Sequence, residues 1–68
     1  MDLKINGETR TLEKVGTLED VMRHLGFSPD AGGVAVAVND TVVPRTQWKS
    51  TRMQPGDAVE VIHAVQGG

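Results

Sequence analysis

The chain has 68 residues, a net charge of −2, 38% hydrophobic residues and no cysteine. A domain this short buries only about 60% of the surface its unfolded chain exposes, which favours a binding or carrier module over an enzyme with a deep cleft. The missing cysteines exclude disulfides, thiolate metal sites and a persulfide carried on this chain, while Lys and Arg scattered at 4, 10, 14, 23, 45, 49 and 52, with Phe27 and Trp48 as the only aromatics, argue against nucleic acid.

Charges at Asp2, Lys4, Glu8 and Arg10 interrupt the N-terminal region, so neither a signal peptide nor a membrane span is expected and the cytoplasm is the default compartment. Leu3 and Ile5 alternate with Asp2 and Lys4, and Asn6-Gly7 supplies the pair that tolerates positive φ at both centres of a hairpin turn. The returning strand, Glu8 to Leu12, is polar enough to belong at a sheet edge. Thr17 reads as a helix N-cap with Asp20 three positions on, and Leu18, Val21, Met22 and Leu25 form an apolar stripe of about two turns. Gly26 suits the left-handed position after the helix, Phe27 folds back on the stripe, and Pro29 bars continuation.

A loop over 28–33 leads to Val34-Ala35-Val36-Ala37-Val38, apolar at every position and therefore a strand covered on at least one face, with the small alanines leaving space for the helix. Asn39-Asp40 marks a turn, Thr41-Val42-Val43 a short strand stopped by Pro44, and Arg45 to Ser50 a polar segment around Trp48. Trp48 suits a satellite of the core better than an interface anchor, and Arg45 a solvated or backbone-bonding role. Pro55-Gly56 predicts a type II turn into the last strand. His24 and His63 fall on separate elements with no ligand partner nearby and read as surface or edge residues.

The final stretch, Val59 to Gly68, joins a β-branched run directly to Gln66-Gly67-Gly68. With Gly at 8 of 68 positions, a glycine pair alone is weak evidence; its continuity with a strand strengthens it. An extended chain from Val65 to Gly68 reaches about 13 Å, and glycine backbone passes through channels closed to other residues. A terminal carboxylate, ionised above a pKa of about 3.5, attacks a phosphate readily but resists attack itself. The chain carries no phosphate-binding loop, so activation of that carboxylate falls to a partner.

Hairpin, helix, strand, short strand, turn and final strand fit two layers, with one helix across a mixed sheet and the last strand parallel to the first. This is an α+β β-grasp (ubiquitin-like) fold of four to five strands. Residues 1–68 are expected to form a single domain, with 65–68 as a flexible tail.

Asn6-Gly7, Thr17-Leu18 with Leu25-Gly26, Val34 through Asn39, Val42-Val43-Pro44-Arg45 with Trp48, Gly56-Asp57 and Val65-Gln66-Gly67-Gly68 together resemble the ThiS family, the sulfur carriers of thiamine biosynthesis. The resemblance runs from end to end. Its most specific parts are V-V-P-R-x-x-W and the V-Q-G-G ending; Val21-Met22 departs mildly from the leucines usual in the family. The resemblance implies that Gly68 is adenylated by a ThiF-like adenylyltransferase using ATP, that sulfur from a cysteine desulfurase displaces AMP, and that the resulting thiocarboxylate serves thiazole synthase (ThiG). It further implies that Gly67 lets the tail enter a partner channel, that Val65 and Gln66 contact the partner backbone, and that the chain is a co-substrate with no bound cofactor, metal or catalytic residue. The docking surface would be an exposed apolar or Trp-bearing face beside the last strand. The alternatives are a molybdopterin synthase small subunit and a ubiquitin-like protein modifier.

Overall fold

The computed structural model describes residues 1–28 and 32–63. A hairpin of β1 (Asp2–Ile5) and β2 (Glu8–Thr11) precedes helix α1 (Leu18–His24). β3 (Val34–Val38), β4 (Thr41–Val42), a 3₁₀ helix (Arg45–Ser50) and β5 (Ala58–His63) follow. The sheet has five strands in the order β2-β1-β5-β3-β4. β5 pairs parallel to β1 through Lys4–Ala58 and Ile5–Val59 and antiparallel to β3 from Val34–His63 to Val38–Val59. The expected mixed sheet, parallel first and last strands and polar edge strand are all present, and β2 is exposed at all four positions.

Both hairpins turn where backbone strain is tolerated. Asn6 and Gly7 have φ of 51° and 83°, and Asn39 and Asp40 have φ of 50° and 69°. Positive φ at both centres matches the right-handed twist of the flanking strands, which explains the asparagines that lead both turns.

α1 has seven residues, too few for an isolated helix to persist in water, so its stability comes from its ends and from one face. Thr17 Oγ1 accepts the Asp20 N–H at 3.3 Å, while Asp20 Oδ2 accepts the N–H groups of Gly16 at 2.9 Å and Thr17 at 3.0 Å. Those two backbone donors hold the Asp20 carboxyl below its ordinary pKa of 3.8. The segment after the 3₁₀ helix ties the same end down: Leu18 N–H donates to Thr51 O at 2.9 Å and Met53 N–H to Gly16 O at 3.0 Å. After Leu25, Phe27 N–H reaches back to Met22 O at 2.9 Å, and Gly26 takes the left-handed conformation at φ 89°.

The core lies between α1 and one face of the sheet, and Leu3, Leu18, Val21, Met22, Val36, Trp48 and Val59 are its most enclosed members. Trp48 is 1% exposed and its indole N–H donates to Val43 O at 3.1 Å, satisfying the one polar atom the ring brings inside. The predicted core role of Trp48 therefore holds. Arg45 lies over the indole at 6.0 Å from its centre, a cation–π contact.

The alanines of β3 correct one expectation. Val36 points into the core, so Ala35 and Ala37, one position either side, point away from α1. They make room on the outer face, not for the helix.

Candidate functional site

β5 is the middle strand, flanked by β1 and β3. Val59 on its inner side is fully enclosed, whereas Ile62 on its outer side is 65% exposed. Ile62 sits opposite Ala35 on β3, Glu60 opposite Ala37, and Ala37 opposite Val42, which is 71% exposed. The outer face thus carries two exposed aliphatic side chains on a floor of alanines, with Glu60 beside them. Towards β1 and β2 it turns polar: Lys4 pairs with Thr9, and Thr11 Oγ1 donates to Asp2 Oδ1 at 2.6 Å. Because Trp48 is buried, the apolar face is the one available beside the last strand and the Trp-bearing alternative is removed.

Two asparagines grip β5 from opposite sides. From the β3–β4 turn, Asn39 donates its N–H to Ala58 O at 2.8 Å, accepts the Ala58 N–H on Oδ1 at 3.0 Å and donates Nδ2 to Asp57 Oδ1 at 2.9 Å. From the β1–β2 turn, Asn6 donates its N–H to Val59 O at 2.8 Å and accepts the Val61 N–H on Oδ1 at 2.8 Å. Asp57 adds a third restraint by accepting the Gln54 N–H at 2.8 Å across the Pro55-Gly56 turn, where Gly56 has the positive φ of 89° expected of type II. The sequence marked Asn6 and Asn39 as turn residues only. Their side-chain bonds join positions far apart in the chain, which local pattern does not reveal.

At the far end of β5, the His63 ring meets Phe27 edge-on with centroids 5.4 Å apart. His63 is exposed and is the last described residue of the strand. The sequence-predicted site residues Val65, Gln66, Gly67 and Gly68 lie outside the described residues. Among the described residues no group of three or more His, Cys, Asp or Glu side chains is placed to hold a metal ion. Among the described residues the one carboxyl with a clear shift, Asp20, is engaged in capping α1. No helix among the described residues is long and apolar enough to cross a membrane.

The chain is 38% identical over its full length to a thiazole synthase of Magnetococcus marinus, of which it spans 20%. It is 36% identical over 64 residues to the sulfur carrier protein ThiS of Thermus thermophilus, covering 94% of this chain and 95% of that one. The crystal structure of the thiamine biosynthesis protein ThiS from Geobacter metallireducens superposes with a TM-score of 0.79 at 28% identity, covering 100% of both chains. The β-grasp architecture and the sequence agree, and the family model matches residues 3–68: the chain belongs to the ThiS family.

Proposed function

We propose that this chain is a sulfur carrier of thiamine biosynthesis and acts as a co-substrate, not a catalyst. The Gly68 carboxylate attacks the α-phosphate of ATP on a ThiF-like adenylyltransferase, releasing pyrophosphate and forming an acyl adenylate. A cysteine desulfurase forms a persulfide, a thiol reductant cleaves its S–S bond to release hydrosulfide, and this attacks the acyl carbon as AMP departs. The thiocarboxylate delivers its sulfur to thiazole formation on thiazole synthase. Sulfur is the better nucleophile and AMP the better leaving group, so the exchange runs in the required direction without a cysteine on this chain. The cytoplasm is the compartment we assign to the carrier and its partners.

The observation that carries this reading is membership in the ThiS family over a span that includes Val65-Gln66-Gly67-Gly68. The thiazole synthase of M. marinus supports the acceptor assignment, since one polypeptide there contains a region similar to this whole chain. Ile62, Val42 and Ala35 form the surface we assign to partner docking, because their exposed aliphatic groups share one sheet face beside β5, the strand that leads into the tail. Gly67 gives the tail its thin profile, and Val65 and Gln66 are assigned to backbone contacts with the partner.

Intact-mass measurement tests the proposal. Incubation with ATP, the adenylyltransferase and a sulfur donor is expected to raise the mass by the difference between one sulfur and one oxygen, and deletion of Gly68 to abolish the change. An unchanged mass with competent partners would sink the carrier assignment. Delivery of the sulfur into a pterin but not a thiazole would redirect it to molybdopterin synthesis.

A further inference from the structure

We infer that Asn6 is a positioning residue for the carrier reaction, setting the direction in which β5 hands the chain on to its tail. This rests on the carrier reading above. β1 ends at Ile5, opposite Val59, so beyond that point β5 keeps a strand neighbour only on the β3 side. A strand held on one side twists and bends more freely than one held on both. Asn6 supplies the missing hold. Its N–H continues the β1 ladder to Val59 O, and its Oδ1 takes the Val61 N–H that its own backbone carbonyl would accept if β1 ran on. Two-sided restraint thereby extends to Val61, next to Ile62 on the exposed face.

Asn39 offers an internal comparison, since it also leads a hairpin turn with positive φ and also accepts a β5 N–H through Oδ1. It does so at Ala58, the opposite end of the strand from the tail. Both asparagines stabilise the sheet; only Asn6 acts where the outgoing direction is set. A tail delivered in one direction loses less freedom on entering a partner, so the effect belongs in apparent affinity and not in the chemical step.

Three full-length variants separate these roles. Asn6→Gly keeps the positive-φ turn and removes the acceptor, Asn6→Asp keeps both, and Asn39→Gly removes the comparison bonds. Two readouts apply: hydrogen exchange at the Val61 amide, and KM and kcat for ATP-dependent adenylation by the ThiF-like enzyme with the carrier as varied substrate. Asn6→Gly is expected to speed Val61 exchange about tenfold and raise KM about three- to tenfold, with kcat within about twofold. Asn6→Asp should restore both values, and Asn39→Gly should leave KM unchanged although it lowers the melting temperature. Unchanged KM in Asn6→Gly, or an equal rise in Asn39→Gly, would overturn the positioning role while leaving the carrier reading intact. Failure of the unmodified protein to be adenylated would instead overturn the carrier reading and this role with it.

Discussion

The inner face of the sheet presents Leu3, Ile5, Val36 and Val59, none more than 6% exposed, to α1, whereas the outer face presents Lys4, Ala58, Glu60, Ile62, Ala35 and Ala37. Branched, bulky side chains fill the first, while small and charged ones pave the second around the exposed Ile62 and Val42. The strands are the same; period-two alternation sends each class to its own side. Folding free energy is concentrated on one face, and the other can be altered at little cost to stability. β5 belongs to both, with Val59 inside and Ile62 outside, so the strand that anchors the body also borders the surface assigned to partners.

This division can be broken first from the inside. Trp48→Ala should cost about 3–5 kcal/mol, enough to unfold a large fraction of so small a domain, as urea denaturation would register. If the loss were below about 1 kcal/mol, the inner layer would not be the store of stability described here. From the outside, Ile62→Lys should change stability by no more than about 0.5 kcal/mol, since the side chain is mostly in water. The same variant should raise the carrier KM in the adenylation assay about tenfold. A stable variant with unaltered KM would show that the outer aliphatic patch is not the docking surface.

The smallest effect lies at the helix entrance, outside the two faces, and sharpens the contrast through pH. Asp20 has a folded pKa below its unfolded value because the Gly16 and Thr17 N–H groups favour the carboxylate. Its stabilisation is therefore complete above the unfolded value and is lost as pH falls through the lower folded one, a window at and below about pH 4. Melting curves of Asp20→Asn should be slightly lower than those of the parent at neutral pH and converge with it in acid. Parallel curves across that range would remove the carboxylate from the account.

Much of the fold was legible because local chemistry and tertiary placement agree. Asn6-Gly7, the Thr17–Asp20 cap, Gly26 and Pro55-Gly56 each demand a backbone state that neighbouring residues alone specify, and each is found in that state. β5 was readable as a central strand from its β-branched composition, and Trp48 as a satellite of the core from the usual placement of so large a ring in a small domain. The orientation of Ala35 and Ala37 was not readable: a strand apolar at every position carries no alternation from which to choose a face, and the helix decides. The side-chain bonds of Asn6 and Asn39 were hidden for a related reason, since partners 55 and 19 positions away are set by sheet register. Of the site, the identity of Gly67 and Gly68 came from the ending and the family resemblance, while the Ile62–Val42 patch needed the fold.

The strand joining the two hairpins is also the last of the five to be synthesised. Until it leaves the ribosome, β1–β2 and β3–β4 have nothing between them and the layer over α1 stays open, so folding waits on distant contacts. A nascent or broken chain lacking this segment leaves its two hairpins unjoined and its apolar layer in water, the state most open to aggregation and proteolysis.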